Sequence, residues 1–391
     1  MNYFIPWILL RIVTSLFAGI FSIFRPATPL EVRIPLLPPS APVALWLERA
    51  FVDPWMRWDA VWFEKIVSHG YSATDGTAQF HPLYPWLAIP LAKLGISPAL
   101  SLLIISSVAG IGLFYSFAKL ARLDLNPKDT FFALLIFSLA PPAFIIFAPY
   151  SEALFLLLAV LCLYFMRKKS WWLAGIMGGL ATLTRQQGIF LIFPIGWELF
   201  ENSGRNIKTL FKQWKELLSL CLVILGFVIW VLYRAIYLND FGIKLGNIQE
   251  FIYSTIISTS AAKVVPAQQF IWPWQALYYT INKIITNPDI DIWVNIITGI
   301  FFLALLAFSW RKMRVSYRIF ALMITIISFS YFTGSIHPYM GLPRHLLLGF
   351  TTFIGFASAV YKPWMRLVLI MASVVSMIFL LGLYVLRAWV P

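Results

Sequence analysis

Residues 216–238 read ELLSLCLVILGFVIWVLYRAIYL, an almost unbroken apolar run. As a helix it would reach about 34 Å at 1.5 Å per residue, enough to cross a hydrocarbon core of about 30 Å. Runs of the same kind recur at 3–24, 98–118, 129–149, 151–166, 171–184, 188–200, 291–310, 317–333, 345–360 and 365–388. The 391-residue chain is 60% hydrophobic and 12% charged, with a mean hydropathy of +0.81. Soluble domains carry about 25% charged residues. A soluble fold is therefore excluded, and an all-α, polytopic integral membrane protein of about eleven transmembrane helices is expected. The segments 171–184 and 188–200 are short enough to form a broken pair, an arrangement tolerated where interrupted backbone is buried.

Charge then reports topology. The net charge is +14, and in a membrane protein Lys and Arg mark the cytoplasmic loops. With a cytoplasmic N-terminus, the inner connections 119–128, 167–170, 201–215, 311–318 and 361–366 hold 16 of the 30 Lys and Arg in 43 residues, against six in the 73 residues of outer loop 25–97. Losing one span would invert this asymmetry for the rest of the chain. The run 3–24 is too long for a signal-peptide core and lacks a basic start, so it is expected to remain as a span. Cys162 and Cys221 lie in apolar runs, which excludes a disulfide framework and a thiolate cluster. Asp289 and Asp291 are too isolated for an octahedral site, so no metal or cofactor is expected. The expected partner of the basic balance is a lipid bilayer and not nucleic acid.

One transmembrane domain, 1–391, is expected, with two large extracytosolic loops at 25–97 and 239–290. The first opens on a proline-rich connector, then places Leu47, Phe51, Trp55, Trp58, Trp62, Phe63 and Ile66 three or four apart with a break at Pro54. That spacing predicts two short amphipathic helices in the membrane interface. Asp59 stands among Trp58, Trp62 and Phe63, where a carboxylate loses hydration unless a partner offsets it. Two readings stay open on spacing alone: a functional carboxylate, or a cap or ion pair of an interfacial helix.

Arg57-Trp58-Asp59-Ala60 followed by Phe63, Ile66 and His69-Gly70-Tyr71, then Phe80-His81-Pro82-Leu83-Tyr84-Pro85, closely resembles the first luminal loop of the PIG-V mannosyltransferase family. Ala148-Pro149-Tyr150-Ser151-Glu152 is similar to that family's Ser-Pro-Tyr-Ser-Glu segment, Thr184-Arg185-Gln186-Gln187-Gly188 to its Arg-Ser-Asn-Gly turn, and Arg344-His345-Leu346 to its late Arg-Tyr-Leu. Where the family shows a Glu-His pair before Phe-Phe-Pro, this chain has Asp75 through Gln79 before Phe80-His81-Pro82, so a different acceptor is expected.

The resemblance implies a GT-C glycosyltransferase (a hexosyltransferase, mannosyltransferase-like) with its site on the extracytosolic face. It implies a polyprenyl- or dolichyl-phosphate sugar donor and a glycolipid or glycan acceptor. Inverting transfer then needs a base, for which Asp59 is the candidate, and cations for the departing phosphate. Arg185 and Arg344 are favoured there because a guanidinium matches phosphate oxygens, although each could equally orient a span. Arg57, Trp58, Phe63 and Gln186 are expected to bind substrate. His81 and His337, each preceding proline, could donate to phosphate or acceptor or be structural. Tyr150 could stack on a sugar ring, as could Phe270, Trp272, Trp274, Tyr278 and Tyr279, for which an aromatic belt is the competing role. Glu152 opens a span, where Ser151 can cap; the resemblance adds a role as substrate or arginine partner. Rival readings are a GT-C enzyme for another sugar and a transporter or lipid flippase, which would place charge at mid-span where Arg11 stands almost alone. A prokaryotic plasma membrane is the expected location, or the endoplasmic reticulum in a eukaryote.

Overall fold

The computed structural model of the protein describes residues 3–24 and 52–386; the proline-rich connector and the first half of the expected interfacial helix pair lie outside them. Seventeen α-helices follow one another among the described residues. The chain begins with α1 (Phe4–Ile23), α2 (Asp59–His69), α3 (Leu83–Lys93), α4 (Pro98–Ala121) and α5 (Pro127–Ser138). Next come α6 (Glu152–Arg167), α7 (Trp171–Thr184), α8 (Ile192–Asn202), α9 (Ile207–Lys212) and α10 (Trp214–Tyr237). The last part holds α11 (Ile248–Ile252), α12 (Pro273–Thr286), α13 (Ile290–Ser309), α14 (Val315–Ser330), α15 (Leu342–Leu347), α16 (Thr351–Ala359) and α17 (Pro363–Val385). Two-residue strands β1 (Gln269–Phe270) and β2 (Tyr331–Phe332) pair antiparallel, tying the 239–290 region to the end of α14.

Helix starts follow from local chemistry. Ser97 accepts from the Leu100 N–H and Asn126 from those of Lys128 and Asp129, each just before a proline at the first helical position. Asp289 caps α13 in the same way through the Ile292 N–H.

Five helices, α1, α4, α10, the continuous 290–312 segment containing α13, and α17, are long and apolar enough to cross a membrane. Other expected spans are shorter or interrupted. The run 129–149 breaks at Pro141-Pro142 into α5 and a 3-10 turn over Ala143–Phe147, because proline supplies no N–H and clashes with the preceding turn. The Phe147 carbonyl at that break accepts from the Arg11 guanidinium, which also lies over the Trp55 ring. The mid-span arginine is thus the partner of a carbonyl released by a broken helix. The run 345–360 likewise divides into α15 and α16.

Small residues set the closest crossing. In α7, a Cβ on Gly175 would meet the Ser219 carbonyl, and one on Gly179 the Leu222 carbonyl, while Gly226 of α10 abuts the Gly179 carbonyl. Gly175 and Gly179 stand four apart, the small-xxx-small spacing that lets helix backbones touch.

The basic connections meet at one end of the bundle, and several of their cations are staples. Arg167 donates to Asp124 at 2.6 Å and to the Tyr317 hydroxyl at 2.7 Å, Arg314 to Glu198 at 2.5 Å, and Arg366 to Asp129 at 2.5 Å. Helix α6 runs from Arg167 at this end to Glu152, about 22 Å away at the other. The candidate site lies there.

Candidate active site

Asp59 is the first residue of α2, and the chain reaches it through a constrained approach. Trp58 takes φ 51° and ψ −116°, outside the regions an L-residue prefers. Such a backbone persists only where its surroundings over-determine it. Two buried tyrosines do so: the Tyr150 hydroxyl donates to the Arg57 carbonyl and the Tyr384 hydroxyl to the Trp55 carbonyl, both at 2.8 Å.

From Asp59 a chain of charges runs inward. Arg344 Nη1 donates to Asp59 Oδ2 at 2.6 Å, and Arg344 Nε lies 3.2 Å from Glu152 Oε1. Arg185 Nη1 donates to the same Glu152 oxygen at 2.7 Å and to Ser151 Oγ at 3.1 Å. The Arg344 guanidinium also lies over the Tyr150 ring, 5.4 Å from its centre. Two carboxylates and two guanidiniums balance. The Asp59 side chain keeps 23% exposure, whereas Glu152 is fully buried. Asp59 is thus the carboxylate open to solvent, and Glu152 is enclosed between the two arginines. Burial alone would lower the Arg344 pKa, but Asp59, Glu152 and Tyr150 outweigh it and move it up, so the cation is permanent.

Asp59, Ser151, Arg185 and Arg344 wall a cavity of about 250 Å³, whereas Glu152 lies behind it, a size close to that of the smaller ligand clefts of proteins. Trp58, Asp59, Phe63, His81, Arg185, Gln186 and Arg344 all line it. Phe63 meets Phe80 and Tyr84 edge-on at 5.1 and 4.9 Å, and Trp62 stacks on Phe80, giving an apolar wall opposite the charged one. Burial brings the His81 pKa down to about 4, against the opposing pull of the Thr182 carbonyl and Gln186. His81 is therefore neutral at ordinary pH; its Nδ1–H donates to Thr182 O at 2.6 Å, leaving Nε2 as an acceptor.

Five expectations meet a different placement. Tyr150 does not line the cavity: fully buried, it supports the Arg57 carbonyl and the Arg344 guanidinium from behind. Arg57 is not a lining residue either; its guanidinium turns back to the Met56 carbonyl. His337 sits apart, its Nδ1 3.4 Å from Asp291 Oδ2 at the start of α13. Ser151 makes no capping hydrogen bond and accepts from Arg185 instead. None of the 270–279 aromatics lines the cavity, and Trp274 and Tyr278 point outward.

Residues the sequence did not single out complete the wall. Gln79 donates to Gln268 Oε1 at 2.6 Å and accepts from the Val264 N–H at 2.9 Å, pinning a segment whose Val264, Val265 and Gln268 face the cavity. Gln79 closes the stretch that departs from the family pattern, the one signal pointing here. Gly188 lets the turn after Arg185 fold onto the backbone of Thr182, where a Cβ would collide.

Fold and site together define an all-α membrane protein of the GT-C glycosyltransferase architecture. A solved structure, ArnT from Cupriavidus metallidurans bound to undecaprenyl phosphate, shares the fold with TM-score 0.50 and 12% identity over 98% of this chain and 76% of that one. The model of the mannosyltransferase (PIG-V) family matches residues 2–273, and the chain belongs to that family. GPI alpha-1,6-mannosyltransferase 2 of Rattus norvegicus is 30% identical over 191 residues, 46% of this chain and 38% of the relative. The human protein of that name is 31% identical over 192 residues, 46% and 38% of the two chains. GPI mannosyltransferase 2 of Cryptococcus neoformans is 29% identical over 195 residues, 44% and 45%. The matched parts span less than half the length of each relative.

Proposed function

We propose that this protein transfers a mannosyl residue from a polyprenyl-phosphate donor to a hydroxyl of a lipid-linked or envelope glycan, on the extracytosolic face and with inversion. The observation that carries the reading is the Asp59–Arg344–Glu152–Arg185 chain, with one accessible carboxylate beside two cations at a single cavity. The family name supports mannose, and undecaprenyl phosphate in ArnT supports a lipid-phosphate donor. The basic connections at the opposite end support the orientation.

In the proposed reaction Asp59 takes the proton of the acceptor hydroxyl as its oxygen attacks the anomeric carbon. The bond from that carbon to the phosphate oxygen breaks, and the electron pair leaves with the polyprenyl phosphate. Arg344 and Arg185 stabilise the charge that develops there. Arg185 Nε is buried without a hydrogen-bond acceptor among the described residues. Trp58, Phe63 and Phe80 offer apolar faces to the sugar.

Full-length protein in proteoliposomes with labelled polyprenyl-phosphate mannose and a glycolipid acceptor tests this. Asp59→Asn is expected to lower transfer by at least about 10²-fold while leaving expression and donor binding intact. Full activity in that variant overturns the base assignment, and preference for another sugar donor overturns mannose.

A further inference from the structure

A second hollow, about 280 Å³, lies between α11, the segment 260–263 and β1. Lys244, Lys263, Tyr253, Ser260 and Glu250 are on its wall. Lys244 pairs with Glu250 at 3.4 Å, whereas Lys263 has no ion pair among the described residues and lies over the Tyr253 ring at 4.9 Å. Two ammonium groups thus face one carboxylate. Partial burial and the neighbouring Lys244 lower the Lys263 pKa, the direction expected of a cation held without sufficient counter-charge.

The surroundings of this hollow are apolar and outward-facing. Leu245 is 82% exposed and Ile248 63%, and they alternate with the lining residues Lys244, Asn247 and Gln249. Gln249 donates to Gln275 at 3.1 Å, fixing α11 against α12. Helix α12 buries Ala276, Thr280 and Lys283 and exposes Trp274, Leu277, Tyr278, Ile281 and Ile285 three or four apart. An aromatic and aliphatic stripe of that kind suits the acyl–headgroup boundary of a bilayer, which would place the two ammonium groups at headgroup depth.

We propose that this hollow binds the phosphate of an anionic membrane-lipid headgroup, with Lys244 and Lys263 on its oxygens and the acyl chains along Leu245, Ile248 and the exposed face of α12. Ser260 and Lys263 face the hollow while Val264 and Val265 of the same segment face the catalytic cavity. A lipid held here therefore braces one wall of that cavity. The assignment is independent of which sugar, if any, the enzyme transfers.

Purified full-length protein, carried through detergent with a mixture of phosphatidylcholine and phosphatidylglycerol, is examined by native mass spectrometry for retained lipid. Wild type is expected to retain phosphatidylglycerol selectively. Lys244→Gln with Lys263→Gln should lower that retention by about 10- to 30-fold, the loss of two cations at a lipid surface, and Lys→Arg at both positions should restore it. Lys208→Gln with Lys212→Gln, exposed at the other end of the bundle, removes the same net charge and should change nothing. Equal retention by the wild type and the 244/263 glutamine variant overturns the site, as does equal loss in the 208/212 variant. Inorganic phosphate that displaces phosphatidylglycerol at millimolar concentration would show a free-phosphate site and overturn the lipid assignment. Asp59→Asn should retain lipid as wild type does, so a failed transfer assay and a failed lipid site remain distinguishable.

Discussion

Glu152→Gln removes a single charge from the centre of the site with almost no change of shape. The native carboxylate oxygen stands 2.7 Å from Arg185 Nη1 and 3.2 Å from Arg344 Nε. At an effective dielectric of about 20 these contacts are worth about 6 and 5 kcal/mol of attraction. Most of that is offset because a buried carboxylate surrenders several kcal/mol of hydration, which the amide does not. What remains is the excess positive charge, since Arg185 and Arg344 would share Asp59 alone. Breaking one partner of a buried pair costs about 3–5 kcal/mol, and the amide oxygen still accepts from Arg185, so about 3 kcal/mol is expected. The melting temperature in lipid nanodiscs should fall by roughly 5 °C. Adding Arg185→Gln restores neutrality and should recover more than half of the loss without restoring transfer. Glu201→Gln, whose pairs with Arg205 and Arg314 are solvent-exposed, should cost under about 1 kcal/mol. A Glu152→Gln protein that melts within about 1 °C of wild type would refute the charge chain as an energetic unit.

His81 has a folded pKa of about 4 against an ordinary value near 6.5, so the unfolded chain binds a proton at higher pH than the folded one. Stability is therefore present above about pH 6.5 and lost as pH falls toward 4, by about 2 kcal/mol at pH 5. His81→Asn should flatten this dependence, and superimposable melting-temperature profiles for the two proteins from pH 7 to pH 5 would contradict the reasoning. Gly179→Ala points a methyl at the Leu222 carbonyl and should cost about 1–3 kcal/mol by overpacking. Gly196→Ala, with open space at its Cβ inside α8, should hold or slightly raise the melting temperature.

The long spans were legible because hydropathy is a local property. The runs read at 3–24, 98–118, 216–238, 291–310 and 365–388 appear as helices within a few residues of those bounds. The interruptions at Pro141-Pro142 and around Gly349 were not, since each still averages as apolar and only a neighbour that satisfies the freed carbonyl makes the break affordable. Arg11 shows the same limit: the sequence marks it as a mid-span charge, while its partner, the Phe147 carbonyl, is a property of the folded backbone. At the site, Asp59, Arg185 and Arg344 stood out as charges beside aromatics or span ends, and the fold brings them together. Their pairing joins residues 285 positions apart, beyond any spacing rule. His337 resembled His81 in preceding a proline, yet one faces the cavity and the other Asp291, because proline fixes a backbone angle and not a side-chain direction. Tyr384 lies inside a predicted span with nothing local to distinguish it from an interfacial aromatic.

Arg344 lies between Asp59 and Glu152, which makes base and phosphate clamp one unit in the proposed reaction. Arg344 holds Asp59 through the 2.6 Å contact of Nη1 with Oδ2. In that reading a donor phosphate entering the cavity competes with Asp59 for the same guanidinium. Glu152 cannot substitute for Asp59, since it is fully buried, and its charge keeps both arginines anchored while Asp59 is released. In that reading the four charges sum to zero before the donor binds, and an added phosphate leaves a net negative site. The carboxylate proposed to take the acceptor's proton and the clamp proposed to receive the donor's phosphate then share the Arg344 guanidinium, so in the proposed reaction the two substrates are coupled through that side chain.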